Sequence, residues 1–279
     1  MNRCVYNTSM YNQQAYIKYL SIGLFLLVFA YLVICVTKMM YHKSFRRYRK
    51  RILSSLLLLV LSAVMIWEAC FSAIPVNRDA SFSVSDIPAY TSSPYVEVNH
   101  NIPFFREEEL KSDEYESYSE LDYLGRCGPA MAMIGIDMMP TQKRGSISMV
   151  KPTGWHLAKY DFIDGKYLYN RCHLIAYELS GENANEKNLI TGTRYMNVEG
   201  MQPFEDKTAW YILRTGNHVL YRCTPVFEGD NLVVTGVLIE ARSIEDGGEG
   251  ICFNVFCYNV QPNIKIDYHT GDHQLIMQN

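Results

Sequence analysis

The chain has 279 residues, 48% of them hydrophobic and 20% charged, and a formal net charge of -3. Those proportions exclude a disordered or collagen-like chain, and the length suits one sizeable domain with an accessory segment, or two small domains. The near-neutral total conceals two opposed parts. Residues 1–75 hold nine Lys/Arg and one acid, Glu68, a net of +8, whereas residues 76–279 hold 17 Lys/Arg against 28 acids, a net of -11.

Residues 1–75 read as a membrane anchor. Tyr19–Thr37 is a run of 19 residues without a charge, and a helix of that length rises about 28 Å, close to the hydrocarbon thickness. A second apolar run extends from Ile52 to Ile74, interrupted only by Glu68 near its outer end. Between them, Lys38–Arg51 carries seven positive charges and no acid, a bias that holds a loop in the cytoplasm. The expectation is a transmembrane helical hairpin, with helices at about 19–37 and 52–74, loop 38–51 inside and both termini outside. An alternative start at Met39 or Met40 would make the basic stretch and Ile52–Ala73 a signal peptide or signal anchor; the clean first run favours two spans.

Residues 76–122 hold 11 acids against three bases, with Ser/Pro/Tyr clusters, the composition of a solvated extracytoplasmic linker. Within it, Tyr95–Asn99 alternates as an edge strand would, and Glu107–Leu121 suits a short helix. Residues 123–279 form the expected α+β domain. Apolar residues at helical spacing between Glu199 and Thr215, closed by Gly216, predict a helix. His218–Phe227, Asn231–Ser243 and Gly250–Val260 are β-rich runs separated by Glu228-Gly229-Asp230 and Asp246-Gly247-Gly248-Glu249, which predicts an antiparallel meander. Five cysteines fall in this part, without Cys-x-x-Cys spacing. They are expected as small buried hydrophobes rather than a disulfide framework or zinc site.

Chemistry gathers in Asn170-Arg171-Cys172-His173, followed by Asn188, Asn197 and Glu205. An imidazole titrates near neutrality and can take a proton from water. Asn and Glu oxygens are hard donors suited to Mg²⁺. One imidazole beside a hard-cation site suits metal-assisted phosphodiester hydrolysis. Taken alone, His173 reads as an ordinary capping or core histidine, and the asparagines as turn formers. His156 reads as structural and His218 as a surface residue. Asp267, His269, Asp272 and His273 form a metal site only on paper.

The set resembles the DNA/RNA non-specific endonucleases of the ββα-metal (His-Me finger) class, especially the secreted and DNA-entry-type nucleases of Gram-positive bacteria. Their signature is Asp-Arg-Gly-His, from which Asn170 and Cys172 depart. They continue with an Asn, a metal-binding Asn nine residues on and a Glu eight beyond, intervals that Asn188, Asn197 and Glu205 reproduce. Lys151–His156 and Gly181–Leu189 resemble the same branch. The resemblance implies a metal-dependent endonuclease acting on DNA and RNA, with Mg²⁺ or alternatively Mn²⁺ as cofactor and no organic cofactor. It makes His173 the general base, Asn197 the direct metal ligand, and Asn188 and Glu205 groups that orient His173 or the waters around the metal. An arginine is expected at the phosphate, Arg144 first and Arg126 second. With the anchor, the expectation is a multi-pass cell-membrane protein whose nuclease domain lies outside the cytoplasm. A non-catalytic nucleic-acid receptor on the same fold is the competing reading, supported only by the altered signature.

Overall fold

A computed structural model of the chain describes residues 4–42, 45–71, 84, 87–110 and 113–276. The chain divides into two compact units, Met1–Ala73 and Ile74–Asn279. Parts of the expected linker (76–83, 85–86 and 111–112), the end of the expected second span (72–74) and Lys43 lie outside the described residues.

The first unit is two helices, α1 (Cys4–His42) and α2 (Phe45–Phe71), packed along one another. Tyr48, Ser55 and Ser62 are buried on α2, seven residues apart, so one stripe of the helix meets its partner. The two serine hydroxyls donate back to the carbonyls of Arg51 and Leu59. The leucines and valines point the other way: Leu57 is 62% and Val60 61% exposed. Small hydroxylated residues inside and branched apolar residues outside is the reverse of a water-soluble hairpin. By length and composition, Ile22–Tyr41 is one helix, of mean hydropathy 2.3, long and apolar enough to cross a membrane. The expected second span receives no such assignment among the described residues.

The second unit is built on a six-stranded antiparallel sheet. Its strands are β1 (Tyr95–Glu97), β2 (Tyr115–Tyr118), β3 (Ala130–Ile134), β6 (Val219–Val226), β7 (Gly236–Ser243) and β8 (Cys252–Tyr258). They lie in the order β1-β8-β7-β6-β3-β2. β6, β7 and β8 are the expected meander, in continuous antiparallel register. Asn231–Thr235 stays outside it because Leu232 and Val233 donate to the carbonyls of His269 and Tyr268 instead. All eight residues of β7 are buried, since both faces of the sheet are covered.

One face packs against a second layer: the two-stranded hairpin β4 (Tyr169–His173) and β5 (Leu189–Thr193), the short helix α3 (Tyr177–Ser180), and α4 (Gln202–Thr215). A wide turn of π-type over Met196–Met201 leads into α4, which ends at Gly216 in the left-handed conformation. Sequence β4, β5, α4 is thus a ββα unit laid on the sheet. A small hairpin, β9 (Ile264–Ile266) with β10 (His273–Leu275), completes the domain.

On the other face part of the expected linker packs onto the sheet, and the edge strand expected at Tyr95–Asn99 forms as β1. β1 and β2, both inside the expected linker, are the two edge strands. Phe105 is buried against Met133 and Leu220. The chain is held there because Glu240, buried on this face, needs partners: Arg222 Nε donates to it at 2.7 Å and the Phe104 amide at 2.7 Å. The Glu107–Leu121 helix is not formed. Glu107–Glu109 is a single 3₁₀ turn, and Tyr115–Tyr118 buries its tyrosines in part while exposing Glu116 and Ser117 as an edge strand does.

Cys35, Cys127, Cys172, Cys223 and Cys257 are free and buried, and Cys252 is free and half-buried. Cys172 sits in extended backbone within β4, and its sulfur fills the space above Gly192 of β5. A Cβ at Gly192 would lie 2.5 Å from Cys172 Sγ and 2.5 Å from Met196 Cε. Gly192→Ala is therefore expected to cost about 1–3 kcal/mol through overpacking, with part recovered by adding Cys172→Ala, as measured by urea unfolding.

Candidate active site

β4 delivers His173 to the mouth of the ββα unit, and the chain beyond it is fixed by Asn188. That side chain is fully buried. Its Oδ1 accepts from the Ile175 amide at 2.8 Å and its Nδ2 donates to the Ile175 carbonyl at 3.0 Å. Its own carbonyl accepts from Leu174 N at 2.9 Å. With its amide engaged in this way, Asn188 does not hydrogen-bond the His173 ring or line the cleft. Geometrically it is a backbone strut, one step further from the chemistry than expected.

The His173 ring is buried and held at both nitrogens. Nε2 lies 2.8 Å from the carbonyl oxygen of Asn183. A carbonyl only accepts, so Nε2 carries the proton and Nδ1 of the neutral ring bears the lone pair. Nδ1 is 3.2 Å from Nη2 of Arg144, an exposed side chain. Burial, and the Arg144 charge with it, hold the imidazole pKa below its ordinary value, against the opposing Asn183 hydrogen bond. The two loops that meet here touch directly: a Cβ on Gly145 would come within 2.9 Å of the Asn183 amide, so glycine lets the Arg144 loop lie against the one that carries the acceptor.

Arg144, His173, Asn197 and Glu205 line one cleft of about 700 Å³. Asn197 is on the wide turn, a distortion often found at functional positions, and Glu205 is in the first turn of α4. Neither side chain has a hydrogen-bond partner among the described residues. Burial pushes the Glu205 carboxyl up to about 8, with Glu178 and Asp206 adding to the rise and Arg144 opposing it. A carboxylate whose charge is so poorly compensated, beside an unpartnered amide oxygen, fits a hard divalent cation held largely through waters. Soft ligands are absent from that wall: Cys172, Cys223 and Cys257 are buried in the core, and burial pushes their thiols far up. No cluster of three or more His, Cys, Asp or Glu suited to a metal occurs among the described residues, the Asp267–His273 tail included.

Arg126 is not part of this assembly. Its Nε donates to Asp122 at 2.7 Å, Nη1 donates to the carbonyls of Gly229 and Asn231, and the guanidinium lies over Phe227. It ties the start of the domain to the β6–β7 turn, and the expectation that it faces the phosphate is corrected. His156 is near the Thr270 carbonyl and His218 pairs with Glu245, both structural.

The cleft also contains Arg194, which the sequence did not single out, and Arg171 of the signature, for which it offered no role. Arg194 donates to Asp164 at 2.8 Å and approaches Asn170 Oδ1 at 3.4 Å, so the altered signature position still serves an arginine. Arg171 donates to the carbonyls of Val150 and Ser148 and lies 4.0 Å over the ring of Trp155. Asn183 acts through its backbone, which no residue pattern reports. Arg194, one residue past β5, could have been found only by pairing that strand with β4.

The DNA/RNA non-specific endonuclease family matches the chain over residues 107–245. In structure the chain is similar to NucA from Streptococcus agalactiae with magnesium ion bound: identity is 26%, the match covers 67% of this chain and 88% of that one, and the TM-score is 0.59. The same nuclease with no metal bound gives 26% identity, coverage of 69% and 92%, and a TM-score of 0.59. A Sda1 nuclease with bound zinc ion is 30% identical, with coverage of 59% and 81% and a TM-score of 0.49. The domain that carries the cleft belongs to the DNA/RNA non-specific endonuclease family, and the protein is a metal-dependent endonuclease.

Proposed function

We propose that the protein hydrolyses phosphodiester bonds of DNA and RNA with His173 as general base, at a Mg²⁺ site formed by Asn197, in a domain displayed outside the cytoplasm by a membrane anchor. The observation that carries the chemistry is the ring of His173, which lines the same cleft as Asn197 and Glu205 with Nε2 spent on the Asn183 carbonyl and Nδ1 against Arg144. Asn197 would hold the ion directly and Glu205 would hold its waters, with Mn²⁺ as a chemically equivalent occupant. When bound, the cation would offset charge that builds on the phosphate and on the leaving oxygen.

The chain's own residues supply the rest. Asn183 fixes the Nε2–H tautomer, so Nδ1 is the nitrogen that takes the proton from water. Arg144 moves from Nδ1 to the phosphate as substrate enters, freeing the lone pair and placing a cation on the developing charge. Asn188 fixes the backbone after His173, and so acts as a positioning residue. The departures at Asn170 and Cys172 do not touch the ring, one serving Arg194 and the other filling core, so they favour the enzyme over a non-catalytic receptor.

NucA with magnesium bound supports the choice of ion. For the anchor, the support is the apolar Ile22–Tyr41 helix, the inverted polarity of the α1–α2 pair, and the seven cations of Lys38–Arg51. We read α2 as the second span of a multi-pass anchor on those grounds.

Full-length protein in detergent should cleave plasmid DNA and RNA with Mg²⁺ and stop with chelator; His173→Ala should lose about 10²–10⁴-fold. Unchanged cleavage by His173→Ala would remove the general base. The acid limb of kcat/KM should lie below the ordinary imidazole value of about 6.5, because burial and Arg144 keep the ring neutral to lower pH and activity fails only below the folded-state pKa. Arg144→Gln should lower the rate and move that limb upward. Washed cells producing the chain should degrade added DNA; activity confined to the medium would contradict the anchor.

A further inference from the structure

The cleft has two unlike walls. Arg144, His173, Asn197 and Glu205 form one of them. The other comes from residues 155–169, where the chain turns back on itself through a bridge between Lys159 and Tyr167, with Gly165 and Lys166 in left-handed backbone at the tip. Trp155, Leu157, Tyr167 and Tyr169 from this segment line the cleft. Leu157 is 74% exposed and Tyr167 43% exposed.

Two of these rings are backed by cations. Arg171 lies 4.0 Å from the Trp155 ring and Lys159 Nζ 4.6 Å from the Tyr167 ring. A single exposed apolar residue needs no explanation. Aromatic faces interleaved with cations along one wall of an arginine-bearing cleft are a different matter, because that combination binds stacked bases and the backbone that joins them. The Tyr167 hydroxyl has no partner among the described residues, so its exposure is not explained by a structural hydrogen bond.

We propose that this wall stacks unpaired bases next to the scissile phosphate, so that the enzyme prefers single-stranded or locally opened nucleic acid without reading base identity. Stacking is indifferent to sequence, because every base has a π-face. A duplex turns its bases inward and offers the wall only sugar and phosphate. A single strand can place its backbone along Arg144, Arg171 and Arg194 and swing a base onto Tyr167. The proposal rests on the reading of this cleft as the nuclease site.

The test uses full-length protein with chelator, so that binding is measured without turnover. The probe is a single-stranded oligonucleotide of about 12 nucleotides with a central 2-aminopurine, compared with its duplex. The single strand should bind roughly tenfold more tightly, with its emission quenched by stacking. Tyr167→Ala should lose the quenching and most of the preference, and Tyr167→Phe, which keeps the ring and packing, should retain both. Equal affinity for the two forms, or quenching that survives Tyr167→Ala, would overturn the proposal. Cleavage is then measured separately with Mg²⁺. Preferential binding without cleavage would sink the nuclease reading and leave this inference standing; cleavage without strand preference would do the reverse.

Discussion

The hydrogen bond from His173 Nε2 to the Asn183 carbonyl oxygen determines what the site can do. It spends one ring nitrogen and leaves the other, Nδ1, to the cleft residue Arg144. Most of the surrounding structure serves that contact. β4 and β5 pair in the register that brings His173 opposite Leu189. Asn188 clamps Ile175, so the backbone leaving the histidine cannot rotate the ring away. α3 ends at Gly181 in the left-handed conformation, which turns the chain back and brings the Asn183 carbonyl under the ring. Cys172 and Gly192 fill one another's space within the strand pair that carries the histidine.

The electrostatics follow from the same placement. The domain from residue 123 onward is nearly neutral, with 14 bases against 17 acids, so bulk charge does not hold a polyanion. Three arginines, at 144, 171 and 194, line the cleft, facing Glu205 with a carboxyl pushed up to about 8 by burial. Such a site favours a cation at one end and a phosphate at the other. The acidity of the chain sits instead in residues 76–122, part of which forms edge strands and covers the back of the sheet.

Much of this was legible in the sequence, and the failures have physical reasons. The meander and the helix ended by Gly216 follow from periodicity and turn residues, whereas Arg144, His173, Asn197 and Glu205, which line one cleft, are picked out in the sequence only through the resemblance to the endonuclease family. Arg126 and Arg144 looked alike because both are cations near a loop; only tertiary partners, Asp122 and two carbonyls for one and the His173 ring for the other, separate them. Residues 76–122 read as a linker because their composition is acidic, with only the alternation of Tyr95–Asn99 marking an edge strand. Composition does not reveal that buried Glu240 and Arg222 need the backbone of Phe104 against them, nor that Phe105 fills a pocket between Met133 and Leu220. Asn183 was invisible because a backbone carbonyl has no side-chain signature.

Asn183 sets the tautomer of His173 and thereby makes Nδ1 the base. Long-range ¹H–¹⁵N correlation of the imidazole in uniformly ¹⁵N-labelled protein at neutral pH tests it directly. The expected spectrum is that of a neutral ring protonated at Nε2, with the Nδ1 resonance in the range of an unprotonated nitrogen. A ring protonated at Nδ1, or one already doubly protonated at neutral pH, would contradict it.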